Sequence, residues 1–299
     1  MDDRTRRILD RVPGWRAADC IVTPLSGGIT NVNLKVIHAG EAFVLRLGGE
    51  GTEVLGIDRR NEYRSSVLAA HAGIGAEVVA FLADENALVT RFIAGAPISP
   101  EEAGRPEVLR RVAQSLRQYH SGLEFPGWFW APDVVRTYHR LAGERGVQFP
   151  ELLPRVLEQL REIERALGKP ARAVPCHNDL LAANFIDDGR TIRILDWEYA
   201  AMGDPFFDLG NFAVNQRLSP ERRDLFLGFY LERVTDADRA RLELMRLLSD
   251  LRESFWGFLQ SGVSRLEFDF LGYALEHWRR FEKNVASPEL SDWLKNVKG

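Results

Sequence analysis

One segment near the middle of the chain combines residue types and spacings that suit phosphoryl transfer. Residues 174–196 contain the pattern His-x-Asp-x4-Asn at His177, Asp179 and Asn184, and Asp196 follows shortly afterwards. Phosphoryl transfer needs an aligned hydroxyl and neutralisation of the phosphate charge, which positioned carboxylates and metal ions can supply. Asp179 would accept or orient the proton of an attacking hydroxyl. Asn184 and Asp196 would offer the hard oxygen ligands that Mg²⁺ prefers.

The residues between these groups predict a hairpin. Two apolar runs flank the turn sequence Asp-Asp-Gly-Arg at 187–190, so the chain would fold back and bring Asn184 beside Asp196. His177 could take part directly, but we expect it to orient the loop through backbone hydrogen bonds. The alternative is that His177 and Asp179 are ordinary loop residues and that Asp196 merely ends a strand.

The N-terminal third predicts a small antiparallel sheet suited to a nucleotide. Five segments have the alternating or apolar pattern of strands: 20–25, 32–37, 42–47, 77–82 and 87–91. The first turn contains Gly27, Gly28, Thr30 and Asn31, and glycines without Cβ allow backbone N–H groups to approach phosphates. A tight hairpin turn without that role is the alternative.

A cation inside the third strand is the candidate phosphate clamp. Arg46 has apolar neighbours on both sides, where a charge needs a partner. Helical spacing over 57–71 offers Glu62 as that partner, and the pair would hold the guanidinium toward the α- and β-phosphates. The alternatives are a surface Arg with an exposed helical Glu, and Lys35 as the competing cation.

The Gly- and Pro-bearing stretch 92–97 predicts a boundary between two lobes, 1–95 and 96–299. Backbone groups near Phe92 and Ile93 could hydrogen-bond adenine there, and a plain linker is a compatible alternative. Beyond it a Ser-Pro-Glu-Glu capping box opens a largely helical pattern. We therefore expect an α+β fold with a small five-stranded N-terminal lobe, carrying one main helix, and a larger mostly helical C-terminal lobe with the catalytic loop.

Composition narrows the classes of function. The 299 residues are 45% hydrophobic, which is enough to form a core. The net charge of −4 gives no reason to expect nucleic acid as a partner. No apolar run reaches the length of a signal sequence or membrane span, and no G-x4-G-K-[ST] loop is present. The two cysteines lack metal-binding spacing, which predicts reduced thiols in a cytoplasmic protein. A homodimer is left open.

In this order, the motifs resemble the choline/ethanolamine kinases of the aminoglycoside phosphotransferase and protein-kinase-like superfamily. The resemblance covers most of the chain and is carried by these segments: 27–31, 44–47, 61–62, 176–181, 196–199 and 254–257. It implies a two-lobed protein-kinase-like fold that uses ATP and Mg²⁺. It also implies Asp179 as catalytic base, Asn184 and Asp196 as metal ligands, and Arg46 in the place of the protein-kinase Lys.

The resemblance further implies a small amino alcohol as substrate, most of all choline or ethanolamine. A quaternary ammonium group is recognised by aromatic faces and a nearby carboxylate. The resemblance assigns Glu198 to the amino-alcohol pocket, which Tyr199 adjoins in sequence, and Trp256 to an aromatic wall. Two departures favour other acceptors: Trp197 replaces the usual Phe, and 203–208 is closer to the aminoglycoside phosphotransferase pattern.

Alternatives to choline remain at this point. A second aromatic wall has no obvious equivalent, with Phe255, Phe258 and Tyr273 as substitutes, and Trp256 with its Phe neighbours could be core. The substrate could instead be an aminoglycoside, thiamine or another hydroxylated metabolite. A catalytically inactive nucleotide-binding scaffold is the rival from another class. We expect Asp208 to stabilise the catalytic loop through hydrogen bonds.

Overall fold

The computed structural model describes residues 1–25, 31–49 and 51–298. The chain forms two compact units, and each is treated by itself below. The first contains 1–98 and 183–199, and the second contains 99–182 and 200–299.

The elements of the first unit are those predicted for the N-terminal sheet, with one helix before it and one beside it. The strands are β1 (Ile21–Pro24), β2 (Asn31–His38), β3 (Glu41–Gly48), β4 (Val78–Leu82), β5 (Ala87–Arg91), β6 (Ala96–Pro97), β8 (Phe185–Asp187) and β9 (Ile192–Ile194). The α-helices are α1 (Asp3–Asp10) and α2 (Arg59–His71). Strands β1 to β5 form an antiparallel sheet in the order β1-β2-β3-β5-β4, which confirms the five-stranded prediction.

The sheet of the first unit buries one face beneath the N-terminal helix. Alternation along the strands places Val36, Leu45 and Val89 in one core cluster, into which α1 packs Ile8 and Leu9. The helix begins at Asp2, whose carboxylate accepts a hydrogen bond from the Thr5 backbone N–H at 2.8 Å. The Arg-rich N-terminal segment is therefore an amphipathic helix, as its sequence predicts.

The hairpin of β8 and β9 forms as predicted but belongs to the first unit, whereas the sequence assigned it to the C-terminal lobe. Its turn is closed by Asp188, whose Oδ1 accepts from Arg190 and Thr191 backbone N–H groups. The hairpin adds to β6 through backbone pairing. Arg193 also donates to the Ile74 carbonyl oxygen at 3.1 Å. A lobe boundary predicted from composition cannot take such tertiary contacts into account.

The second unit is mainly helical. Its α-helices are α3 (Pro100–Ala103), α4 (Pro106–His120), α5 (Ala131–Gly143), α6 (Leu153–Leu167), α7 (Pro205–Asn215), α8 (Pro220–Tyr230), α9 (Asp236–Val263), α10 (Phe270–Val285) and α11 (Leu290–Asn296). The capping box at the start of α3 is present, with Ser99 and Glu102 as partners. Helix α9 is the centre of the unit, buried on nearly all sides and packed by α5, α7 and α10.

A short strand pair in the second unit was not predicted. Strands β7 (Val174–Cys176) and β10 (Ala201–Gly203) pair in antiparallel register. Strands of three residues carry too little alternation to be recognised from sequence. The pair matters because the catalytic-loop segment begins directly after Cys176. Among the described residues, no helix combines the length and apolarity that a membrane span requires.

Candidate active site

The catalytic loop of the second unit has its backbone held by side chains of α7. Asp208 accepts the backbone N–H of His177 at 2.8 Å and that of Asn178 at 2.7 Å. Asn211 accepts the N–H of Leu180 at 2.5 Å. Asn178 has φ of 66°, so the chain turns sharply in the left-handed region at this point. The loop-stabilising role expected of Asp208 agrees with these contacts.

His177 is fully buried and contacts the loop rather than an open surface. Its Nδ1 accepts the backbone N–H of Asp179 at 3.2 Å, which requires that Nδ1 carry no proton. This contact fixes the turn that leads into Asp179. It is the contact expected of a residue that orients the loop, whereas direct catalysis by His177 stays a prediction.

The carboxylate of Asp208 is the centre of a buried polar cluster. Besides the loop N–H groups, it accepts from the Tyr119 hydroxyl at 2.6 Å and lies 3.0 Å from His120 Nε2. Burial opposes ionisation, but the hydrogen bond and charge of His120 outweigh it, so the pKa of Asp208 lies below its ordinary value. Cys176 is close enough to complete a metal-type triad, yet burial raises the pKa of its thiol well above normal. We therefore interpret the cluster as support for the loop.

The side chain of Asp179 meets charged residues of α9. Arg252 Nη1 lies 3.1 Å from Asp179 Oδ1 and also contacts the carboxylate of Glu253. The Tyr273 hydroxyl donates to the other oxygen of Glu253 at 2.8 Å. Arg252 and Glu253 were not predicted from the sequence. Both are buried in α9, and buried charges require partners.

The aromatic residues near the C-terminus pack in two groups, and Trp256, predicted as an aromatic wall, is itself only 7% exposed. Trp256 lies one turn along α9 from Arg252, and its ring centroid is 5.6 Å from that of Tyr273. Phe255 and Phe258 are fully buried and pack against Trp278, so they are core residues and not a second wall. Tyr273 is thus the substitute that the structure places beside Trp256.

The first unit contains a cavity of about 450 Å³. Five of the sequence-predicted nucleotide and metal residues line it: Arg46, Phe92, Ile93, Asn184 and Asp196. The volume lies within the range of small-molecule and cofactor sites. Gly27, Gly28 and Thr30, predicted to approach the phosphates, lie outside the described residues.

The hairpin brings the two predicted metal ligands together. The Leu195 backbone N–H donates to the Asn184 carbonyl oxygen at 2.9 Å, which places Asn184 next to Asp196 at the open end of the hairpin. Asp196 has φ of 66° and lines the cavity together with Asn184. A carboxylate and an amide oxygen are the donor types that Mg²⁺ accepts alongside phosphates and water. The residues present therefore fit the predicted metal.

Arg46 forms the ion pair predicted from its mid-strand position. Its guanidinium contacts Glu62 of α2, and it also contacts Asp196. The competing cation, Lys35, instead lies over the Phe92 ring at 4.4 Å from the centroid. The geometry therefore places Arg46, rather than Lys35, at the predicted metal ligand.

The Arg46 pair is part of a longer chain of alternating charges in the first unit. Arg59 Nη1 lies 2.7 Å from Glu62 and 3.1 Å from Glu198, so the order is Asp196, Arg46, Glu62, Arg59, Glu198. All but Asp196 have side chains that are largely buried. The sequence analysis missed Arg59, although its position one turn before Glu62 is a recognisable i,i+3 spacing.

Glu198 occupies the end of this charge network. The Asn31 side-chain amide donates to Glu198 at 3.1 Å, next to the contact from Arg59. Burial, and then repulsion by Asp196, raises the pKa of Glu198, while Arg46, Asn31 and Arg59 oppose that rise. The carboxylate predicted for the amino-alcohol pocket thus has partners inside the first unit. Its neighbour Tyr199 is half-buried.

Known proteins are similar to this chain over most of its length. The sequence model of choline/ethanolamine kinase matches residues 22–282. The chain belongs to the choline/ethanolamine kinase family. Membership confirms the predicted class of enzyme, a small-molecule kinase with an alcohol group as acceptor, and the predicted protein-kinase-like α+β fold.

Individual relatives give the degree of similarity. A choline/ethanolamine kinase family protein from Mesorhizobium loti is 30% identical, with a TM-score of 0.86 over 99% of this chain and 98% of that one. Ethanolamine kinase 2 of Homo sapiens is 29% identical over 314 residues, covering 93% of this chain and 79% of that protein. Choline kinase LicA from Streptococcus pneumoniae, at 22% identity and a TM-score of 0.74, covers 88% of this chain and 94% of that one, and shows the shared fold.

Proposed function

We propose that the protein transfers the γ-phosphoryl group of ATP to the hydroxyl of a small amino alcohol, with choline as the first candidate and ethanolamine as the second. The observation that carries the proposal is the position of Arg46. It contacts Glu62 and Asp196 at a cavity that Asn184 also lines. A strand cation held by a helix carboxylate beside a metal-type donor set is the arrangement that phosphoryl transfer requires.

The first unit would bind the nucleotide. Arg46 offers a planar and permanently charged group to the phosphates, and Glu62 keeps it from turning away. Phe92 and Ile93 line the cavity, and backbone groups of this segment would receive the adenine, other than the Phe92 N–H, which donates to the Ala42 carbonyl oxygen. Asn184 and Asp196 would hold Mg²⁺, which neutralises phosphate charge when bound.

The second unit would bind and activate the acceptor. Asp179 would take the proton of the attacking hydroxyl, from a loop whose backbone is fixed by Asp208. Trp256 and Tyr273 supply aromatic surface, and Glu253 supplies a carboxylate that Tyr273 holds in place. Aromatic faces with a nearby carboxylate suit a quaternary ammonium group, which supports choline.

Ethanolamine has its own support. Human ethanolamine kinase 2 is among the curated relatives of this chain. A primary ammonium donates hydrogen bonds, and a buried carboxylate such as Glu253 accepts them well. A scaffold without activity is less consistent with the chain, because Asp179, Asn184 and Asp196 are all present.

The cellular setting is also proposed. Cys20 and Cys176 are free thiols, in agreement with a reducing compartment such as the cytoplasm. The homodimer left open by the sequence remains a prediction that light scattering of the purified protein would test.

A substrate panel tests the proposed function. Transfer from MgATP is followed by ADP release and by ³¹P NMR of the product, with choline, ethanolamine, thiamine and an aminoglycoside as acceptors. The Asp179→Asn variant is the blank. We expect the highest kcat/KM for choline, then ethanolamine. Preferred phosphorylation of thiamine or the aminoglycoside would overturn the amino-alcohol assignment, and ATP binding without transfer to any acceptor would favour the scaffold.

A further inference from the structure

We propose that Arg252 is a positioning residue for Asp179, and that its single charge is shared between Asp179 and Glu253, so that α9 sets the orientation of the proposed base. The inference rests on the proposed role of Asp179 in accepting the substrate proton. It adds two residues of α9, Arg252 and Glu253, to the machinery of the reaction.

The contacts form a continuous chain from α10 to the catalytic loop. Tyr273 of α10 donates to Glu253 at 2.8 Å, Glu253 pairs with Arg252, and Arg252 Nη1 reaches Asp179 Oδ1 at 3.1 Å. Ser254 Oγ donates to a backbone carbonyl oxygen of α10 at 2.9 Å, which fixes the two helices at this height. The orientation of the Asp179 side chain is therefore set by Arg252, which is held through Glu253 by Tyr273 of α10.

The same nitrogen of Arg252 serves both carboxylates. Nη1 contacts Asp179 and Glu253, so the two acids share one guanidinium donor. Arg252 is 1% exposed and Glu253 2% exposed, so solvent screens these charges little. Loss of one partner from a buried charged group leaves the other uncompensated. With both acids ionised the group carries one net negative charge, and it would carry two without Arg252.

The other titratable groups that face Asp179 within the described second unit do not replace Arg252. The His177 ring receives the Asp179 backbone N–H at Nδ1 and so acts as an acceptor. Burial, and then the charge of Glu253, raises the pKa of Tyr273 well above normal, which keeps its hydroxyl protonated and neutral. A neutral donor can hold Glu253 in place but cannot compensate its charge.

This balance predicts opposite effects for the two α9 residues. Without the guanidinium, Asp179 loses an opposite charge, which lowers the pKa of a carboxylate by about 1 to 3 units, and it faces Glu253 alone, whose like charge disfavours ionisation. Arg252→Met should therefore move the acid limb of the kcat profile to higher pH. Glu253→Gln gives Asp179 the undivided charge of Arg252 and should move that limb to lower pH.

The experiment measures kcat and KM between pH 5 and 9 for wild type, Arg252→Met, Arg252→Lys, Glu253→Gln and the double variant Arg252→Met/Glu253→Gln. At pH 7 we expect Arg252→Met to lower kcat about 10²-fold, as a misplaced and partly protonated base would. The double variant should return the limb toward the wild-type position, because the repelling carboxylate is gone. Arg252→Lys should keep the acid limb at the wild-type pH and lose only part of kcat. Lysine retains the positive charge but lacks the planar guanidinium that can contact two acids at once.

Controls separate this effect from general damage. Arg280 of α10 pairs with the fully buried Asp250 at 2.6 Å, with its own side chain 24% exposed, so Arg280→Met should cost stability without moving the limb. ATP affinity measured by calorimetry should be unchanged in all the α9 variants. If Arg252→Met does not fold, the position of the limb in Glu253→Gln still decides the outcome.

Two results would overturn the inference. One is an acid limb at the wild-type pH in Glu253→Gln, and in Arg252→Met where that variant folds. The other is an equal loss of kcat in Arg252→Met and the double variant with no movement of the limb. Failure of the proposed function looks different: the wild type would phosphorylate no alcohol, or Asp179→Asn would retain wild-type turnover.

Discussion

Replacing Asp208 with Asn removes one charge from the centre of the catalytic-loop support. Oδ2 of Asp208 accepts from the His177 N–H, the Tyr119 hydroxyl and His120, while Oδ1 accepts from the Asn178 N–H. An amide can keep its oxygen at the Oδ2 position only by turning its NH₂ group toward the N–H of Asn178. One hydrogen bond is then lost, two donors face each other, and the remaining three bonds lose their charge assistance.

The structure gives the magnitude of this loss. Hydrogen bonds to a charged group contribute about 1.5–3 kcal/mol each and neutral ones about 1 kcal/mol, so we expect Asp208→Asn to cost about 4–6 kcal/mol in the free energy of unfolding. Because the loop that carries Asp179 relaxes, kcat should also fall about 10²-fold. Urea denaturation and the phosphotransfer assay measure the two effects. Asp133→Asn, an exposed carboxylate of α5 beside Arg136, is the matched control and should change stability little.

The pH dependence of stability gives a second test of the role of Asp208. The pKa of Asp208 in the folded protein lies below the ordinary 3.8, so the folded state favours the ionised form. Its contribution to stability is complete above pH 3.8 and is lost as the pH falls through the lower, folded value. Asp208→Asn should lack this acid-labile component. A variant that loses less than about 1 kcal/mol and keeps the wild-type pH dependence would refute the reasoning.

Three further predictions concern the first unit. Asp196→Ala should abolish Mg²⁺-dependent ATP turnover, and retained Mg²⁺ binding in calorimetry would count against its role as ligand. Glu198→Gln should lower kcat/KM much more for choline than for a neutral alcohol, since the resemblance assigns this carboxylate to the amino-alcohol pocket; equal losses for both would place Glu198 outside that pocket and leave only its pairing with Arg59. Gly95→Ala should destabilise the protein by about 1–3 kcal/mol, because a Cβ would lie 2.6 Å from Cγ2 of a β8 isoleucine. Gly143→Ala, with nothing within 4 Å of its Cβ, is the control, and equal Tm values for the two would contradict the packing argument.

Local sequence signals predict those parts of the structure whose partners are near in the chain. The turn at 187–190 fixes the hairpin, and the hairpin places Asn184 beside Asp196. The five strands of the sheet were recognisable because each segment has an alternating or continuously apolar pattern between turn residues. The pairing of Arg46 with Glu62 could be predicted because a charge in the middle of a strand needs a partner of opposite charge.

The remaining features depend on contacts between distant segments. Arg252 meets Asp179 across 73 positions, and Arg59 meets Glu198 across 139. Sequence shows that such buried charges must be compensated, but it does not say by which residue. For the same reason the contacts of Glu198 with Arg59 and Asn31 were not predicted, and its assignment to the substrate, which rests on the resemblance, stays a prediction.

The most direct test of the account is the turnover of Asp179→Ala. With MgATP and choline in excess, we predict that kcat falls by about 10² to 10⁴ relative to wild type, while ATP affinity measured by calorimetry stays the same. Wild-type turnover by Asp179→Ala would contradict the account, because no other residue has been assigned to receive the proton of the attacking hydroxyl.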